Sequence, residues 1–553
     1  MQFIKTASII LLFVAPVTLF GQSAYFQQGS KENILLERLE IKAQKDTALN
    51  FSFIKPFNRK WWINAIERIE EDPDPLKLTR VDLYNMQRSK MNSMEWVTGD
   101  KSTLQSKKSL WKTFYTTPAD LIQVDNPDFF LSVNPVLQLQ AGVESASDEF
   151  LFLNTRGIVA RGLIAKKIGF QTYLTDNQET GPQFVRDRIA QYRAVPGAGF
   201  YKTFKTSGVD YFDARGSVNV NVAKYLDIQF GYDKQHIGSG YRSLYLSEYP
   251  NSFLFLNLNL RVWRLNYVAK TMELTAQYKR GSTDTVFPKK YMAIHHISFN
   301  APKWLTVGLF EGIVFNRLNQ FEFSYLNPII FLRPMEQNNG SADNAFVGVD
   351  LKANIARRFQ LYTHLLFDEF KLEEITSGDG WWANKWAWQF GGKYIDAFGV
   401  KNLDLQAEIN LVRPFTYAHN DTVANYTHYN QPLSHPLFSN VRELVGIIRY
   451  QPAPKWYLQA RVNGWWGGSD PVGENYGNNI FLDTDTRARG YGNVFGQLNE
   501  TQWVNANFWA AYEWKENFFI EGNLYFRKTN NVATNTVASF GIRWNMHRRE
   551  YDY

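Results

Sequence analysis

From Phe129 onward the chain alternates apolar and polar residues one by one, in segment after segment. Over 212–222, Phe212, Ala214, Gly216, Val218, Val220 and Val222 fall on one face, and Asp213, Arg215, Ser217, Asn219 and Asn221 on the other. Leu226, Ile228, Phe230 and Tyr232 likewise oppose Asp227, Gln229 and Asp233. Near the end, Val504, Ala506, Phe508, Ala510, Tyr512 and Trp514 oppose Asn505, Asn507 and Glu513. A period of two is the period of a β-strand. It suits a soluble sheet with one wet face, and equally a barrel with lipid outside and water inside.

Connection lengths separate these two. Segments beginning near 129, 151, 167, 209, 226, 251, 265, 290, 305, 345, 359, 384, 403, 440, 455, 500, 517 and 537 predict about eighteen strands, an even number as in single-chain outer-membrane barrels. Short connections at 165–166, 223–225, 263–264, 301–303, 356–358, 452–454 and 515–517 alternate with long ones at 174–208, 236–250, 316–344, 414–439 and 467–499. Outer-membrane barrels have short periplasmic turns and long outer loops, and closure removes every exposed sheet edge. The expected fold is mainly β, a transmembrane antiparallel β-barrel over 129–553 with the long loops on the cell surface and outer-membrane lipid around it.

Composition narrows the function classes. Aromatics make up 16% of the chain, with Trp 17, Tyr 29 and Phe 42, as interfacial girdles require. The mean hydropathy of −0.35 and the lack of a long internal apolar run exclude membrane-spanning helices, which need ~20 apolar residues each. Without cysteine there is no thiolate zinc site, thiol nucleophile or disulfide. A net charge of +7 without a dense basic stripe argues against nucleic acid as a partner.

Ahead of the barrel, 1–21 reads as a signal peptide, with Lys5, an apolar core from Ile9 to Phe20 and a small residue at Gly21. Residues 22–128 read as a helical periplasmic or plug region. Trp61, Ala65, Ile66 and Ile69 form one helical face, stopped by Asp72-Pro73-Asp74-Pro75. Thr79 with Asp82 opens another helix as a capping pair.

No catalytic constellation stands out, and no cofactor is expected. His295 and His296 are adjacent in a strand and point to opposite faces. His419, His428 and His435 share a loop with Asp421, without close metal-ligand spacing. Asp227, Asp233, Glu273 and Glu521 read as lumen carboxylates balanced by Arg215 and Arg527.

The remaining feature is a turn, Gly238-Ser239-Gly240-Tyr241-Arg242-Ser243-Leu244, running on to Ser247 and Pro250. Gly238 and Gly240 permit a backbone that a Cβ resists. This turn resembles the Wzi-like capsule-assembly family of outer-membrane barrels, in which Gly-x-Gly-aromatic leads into Ser-Leu and then a Ser and a Pro; the aromatic there is often Trp, and here it is Tyr241. Leu433-Ser434-His435 is similar to a second element of that family. The group includes Bacteroidota gliding-motility proteins of the RemB type. The resemblance implies an eighteen-stranded barrel engaged with surface polysaccharide, and in the motility branch a part in adhesion or gliding. Tyr241 and Arg242 are candidate carbohydrate contacts, along with the loop aromatics Trp381, Trp382, Trp465 and Trp466, since aromatic faces beside amides suit sugar rings. Loop packing is the competing role for the aromatics, and pairing with Glu248 or a lumen carboxylate is the competing role for Arg242. The alternative to polysaccharide binding is a structural component of a motility or protein-secretion apparatus, with envelope proteins as partners. A diffusion porin is disfavoured, because long loops and a preceding domain occlude the lumen.

Overall fold

In the computed structural model, residues 24–553 are described apart from 28, 73–75, 112, 279–285, 330, 341, 499 and 531. The signal-peptide expectation at 1–21 lies outside the described residues.

The chain closes into an 18-stranded antiparallel barrel. Its strands are β1 (Phe129–Glu144), β2 (Leu151–Ile164), β3 (Ile168–Thr180), β4 (Gly208–Ala223), β5 (Leu226–Asp233), β6 (Phe253–Val262), β7 (Leu265–Thr275), β8 (Lys289–Asn300) and β9 (Leu305–Phe315). They continue as β10 (Asn344–Ile355), β11 (Phe359–Glu369), β12 (Lys385–Tyr394), β13 (Leu403–Val412), β14 (Val441–Tyr450), β15 (Trp456–Gly468), β16 (Glu500–Lys515), β17 (Phe518–Thr529) and β18 (Asn535–Trp544). Each pairs with the next, and β18 pairs with β1 from Val537↔Glu144 to Trp544↔Leu137. Burial settles which face is which. On β4 the polar Asp213, Arg215, Ser217 and Asn219 are buried while Phe212 and Val218 are exposed. Polar inside and apolar outside is the inverse of a soluble sheet, and it places the barrel in an outer membrane.

Short turns gather at one end and long connections at the other. Residues N-terminal to the barrel form α1 (Lys31–Ala43), α2 (Arg59–Glu71) and α3 (Arg80–Met91), packed around Leu39, Trp62, Ile66 and Met86. Thr79 and Asp82 make the expected reciprocal cap on α3. These helices dock on the short-turn end through buried ion pairs. Lys31 reaches Glu513 at 2.7 Å and Glu516 at 2.6 Å, Arg38 reaches Asp396 at 2.9 Å, and Glu40 meets Lys352 at 2.6 Å. The helical reading of 22–128 fails at its end. Phe114–Thr117 and Asp120–Asp125 form a hairpin whose second strand pairs with β1 at Phe130–Val133, below the stretch that β18 covers.

Two long connections expected on the surface fold inward instead. Residues 234–252 enter the lumen, and 413–440 pack over them, with Tyr417, Tyr426, Leu433 and His435 fully buried. Of the latter, Asn420 and Asp421 are exposed. The described residues of 316–343 lie along the outer wall, where Tyr325 and Leu332 cover Tyr291, Ile313 and Phe315. After β18 the last residues, 545–553, turn into the lumen rather than continuing the wall.

Candidate functional site

The inward loop is built on its neighbours' polar faces. Strand pairing of Ile54–Lys55 with His236–Ile237 ties it to the N-terminal region, and Phe53 accepts a hydrogen bond from the Gly238 amide at 2.8 Å. Gly240 then passes so close to the wall that a Cβ would sit 2.4 Å from Gln389 Oε1 and 2.6 Å from Glu408 Oε2. The demand at Gly240 is close approach, not an unusual turn. Glu408 accepts from the amides of Tyr241 at 2.7 Å and Arg242 at 3.0 Å. The Tyr245 ring stacks between Phe310 and His364, with centroids 4.3 Å and 5.3 Å away.

Arg242 is 7% exposed and fully engaged. Its Nε and Nη2 donate to the two oxygens of Glu443 at 3.0 Å and 2.7 Å, and Nη1 donates to Asp552 at 2.7 Å. The Tyr241 hydroxyl donates to the same Asp552 carboxylate and accepts from Arg461 at 2.7 Å. The surface placement expected for Tyr241 and Arg242 is therefore corrected: both lie inside the barrel, and the lumen-carboxylate role of Arg242 is the one the geometry realises. Sequence reasoning missed Glu408, Glu443, Arg461 and Asp552. A charged loop residue that becomes buried needs such partners, and the acids Glu408 and Glu443 on the polar faces of adjoining strands were the available signal.

The two stretches that carry the family resemblance meet in space. Ser247 donates its amide to Leu433 O at 2.8 Å and its hydroxyl to Ser434 O at 2.7 Å. His435 contacts Glu443 at 2.8 Å through Nε2, while its Nδ1 accepts from the Leu437 amide at 3.3 Å. Both ring nitrogens are thus occupied, and the residue is no general base.

Below this lies a cavity of about 520 Å³ bounded by the N-terminal helices, the inward loop and the tail 545–553. Lys234 borders it and donates to the carbonyls of Glu248 at 2.9 Å and Pro250 at 2.8 Å. Burial, with Arg215 nearby, pulls its ammonium down to about 7. Burial pushes the Glu248 carboxyl up, but His236 at 2.5 Å outweighs it and holds the group at about 2. Arg215 pairs with Asp213, Glu521 with Arg543, and Arg527 donates to Tyr553 O. Glu273 is corrected to the outer face, where it pairs with Lys289.

The other candidates separate. Trp381 and Trp382 lie half-exposed in the long-loop rim, with Lys371 4.9 Å from the Trp381 centroid and Arg487 4.4 Å from that of Trp382. Trp465 and Trp466 are not loop residues but consecutive residues of β15, so they face opposite ways. Trp465 is buried against Trp503, centroids 5.7 Å apart, and Trp466 faces outward. His295 and His296 point apart as expected, to Glu311 and Asp350 respectively. Among the described residues no group of three or more His, Cys, Asp or Glu is placed to hold a metal. His419, His428 and His435 are each bonded elsewhere.

The sequence matches no protein-family model and no curated protein. Among solved structures it is similar to Wzi, described as an outer membrane protein involved in group 1 capsule assembly in Escherichia coli and a carbohydrate-binding β-barrel. That match has a TM-score of 0.55 at 10% identity and covers 96% of this chain and 100% of that one. The two share a fold. OprD from Pseudomonas aeruginosa is also similar, with a TM-score of 0.41 at 11% identity over 75% of this chain and 94% of that one.

Proposed function

We propose that this barrel binds surface polysaccharide, or helps to assemble it, at its long-loop end and without catalysis. The observation that carries the reading is an occluded lumen beneath an aromatic rim. The N-terminal helices close the short-turn end, and the loop 234–252 and the tail 545–553 occupy the lumen above them, which suits a binder better than a diffusion pore. Above them, Trp381 and Trp382 stand beside Lys371 and Arg487. An indole face takes the apolar side of a sugar ring, and adjacent cations take hydroxyls or carboxylates. Trp381 and Trp382 are assigned ligand contact, and Tyr241, Arg242, Trp465 and Trp466 are assigned to holding the wall and its inner loop. The fold shared with a carbohydrate-binding barrel agrees with this. The narrower placement in a Bacteroidota gliding-motility branch rests on the turn around Tyr241 alone.

The test is retention of capsular or other surface glycan by the purified barrel and by its Trp381→Ala/Trp382→Ala variant in one detergent. Weaker retention by the variant is expected. Equal retention overturns the assignment, and glycan cleavage by the wild type overturns the non-catalytic reading.

A further inference from the structure

Charges at the short-turn rim are sorted by face. Asp396 and Glu516 in these turns point inward and are taken up by Arg38, Lys31 and Arg88 of the N-terminal helices, while Asp125 and Asp128 at the turn into β1 are exposed. Many of the basic residues stand next to an aromatic, whereas Lys166, Lys167, Arg357 and Lys401 do not. Lys224-Tyr225, Trp263-Arg264, Lys303-Trp304, Arg358-Phe359, Lys455-Trp456 and Trp514-Lys515 recur in six of the turns around the barrel, and are absent from those at 165–167 and 395–402. The rings are out in the surroundings, Trp263 being 76% exposed and Trp514 54%. Lys224, Arg264 and Lys515 lie 5.1, 5.4 and 5.3 Å from the centroids of their own neighbours, Tyr225, Trp263 and Trp514.

The opposite rim also has cations on aromatics, Lys205 on Phe204 and Lys371 on Trp381, but not as a repeat from one connection to the next. Its connections are mixed in charge: Asp148 and Glu149 in 145–150 and Glu373, Glu374 and Asp379 in 370–384 stand with Lys202, Lys205, Lys371, Arg487 and Arg489. A general need for solubility would not confine the basic excess to one end. Indole and phenol rings settle at the boundary between acyl chains and headgroups, which fixes the depth of the neighbouring cations at the level of lipid phosphates. Guanidinium and ammonium groups there match phosphate oxygens. A headgroup that carries its own ammonium offsets the attraction, and one with net negative charge does not.

We propose that the short-turn rim is a docking belt for anionic phospholipid in the leaflet it contacts. The belt works independently of any ligand at the long loops. Near a membrane surface each such cation is worth roughly 1 kcal/mol, about a 5-fold rise in local anionic lipid.

The experiment reconstitutes the full chain in nanodiscs of mixed phosphatidylglycerol and phosphatidylcholine and measures the lipid retained on detergent extraction by native mass spectrometry. Phosphatidylglycerol enrichment of about 5-fold or more over the bulk mixture is expected for the wild type. It should fall towards bulk composition in Lys224→Gln/Arg264→Gln/Lys303→Gln/Lys515→Gln. Bulk composition around the wild type, or unchanged enrichment around the variant, overturns the proposal. Should the variant not fold, a salt series on the wild type decides instead, since headgroup attraction is screened and acyl packing is not. Enrichment that survives high salt overturns the belt. So does recovery of an acidic protein on this rim, by cross-linking in native membranes, without lipid enrichment.

Discussion

Arg242 grips both oxygens of Glu443, at 2.7 Å and 3.0 Å, and thereby anchors an inward-folded loop to the far wall of the barrel. His435 binds the same carboxylate from the overlying loop. One buried acid thus joins two segments distant in sequence.

Removing that guanidinium strands Glu443 and Asp552 without their main partner. Arg242→Met is expected to cost about 3–5 kcal/mol locally, while the barrel wall keeps its pairing. The readout is heat-dependent gel mobility together with limited proteolysis of 234–252 and 545–553. Arg242→Lys should restore little, because one ammonium cannot span both oxygens. Protection equal to wild type in Arg242→Met would show the pair to be idle.

Gly240→Val meets Gln389 and Glu408 head-on. The expected cost is about 1–3 kcal/mol, felt as release of the Tyr241 and Arg242 amides from Glu408. Hydrogen exchange at these amides should rise while exchange in β12 and β13 stays slow. Slow exchange at both amides would mean that the wall yields instead.

Acid should open the upper loop through His428. Its Nδ1 accepts from the Thr275 amide at 2.9 Å and its Nε2 donates to Ser252 O at 3.0 Å, so the ring must stay neutral. Burial holds it at about 3 in the folded chain, against 6.5 when exposed. The unfolded loop therefore binds the extra proton, and the stability that His428 contributes is whole above pH 6.5 and lost as pH falls from there towards 3. Proteolysis of 413–440 is expected to rise over that window in the wild type and less steeply in His428→Gln. Identical profiles would remove His428 from the transition.

Orientation follows from the unequal ends. Tags at Asn338, in the long connection 316–343, and at Ala453, in the turn between β14 and β15, should react differently with an impermeant label on whole cells. Labelling is expected at Asn338 alone, and labelling at Ala453 alone would invert the barrel.

Much of the wall was legible in the sequence because period two and turn residues are local signals. Eight of the eighteen expected strand starts coincide with the observed ones and eight lie one residue away, and the wider departures are 251 against Phe253 and 537 against Asn535. Interior contents were legible only in part: pairing of Arg242 with a lumen carboxylate stood as an alternative, and Glu443 as that partner did not. A polar segment such as 236–250 has the same composition whether it meets water outside or carboxylates inside, and only the three-dimensional position of Glu408 and Glu443 tells the two apart. Trp465 and Trp466 were misplaced for a related reason. Gly467 and Gly468 read as loop, yet both continue the ladder, opposite Thr501 and Glu500.

The tail 545–553 also acts as a gauge. Asp552 meets Arg242 and Tyr241, Glu550 meets Arg461, and Arg549 meets Glu179 and Tyr211, partners drawn from the inner loop and from three separate wall strands. A strand that slipped by two residues would keep its polar face inward and satisfy its backbone, but it would carry its charge ~7 Å along the wall. The tail then could not reach all of its partners at once. Full docking of these nine residues, 545–553, therefore reads out whether the finished wall is in register, and an imperfect barrel is left with a loose, protease-sensitive end.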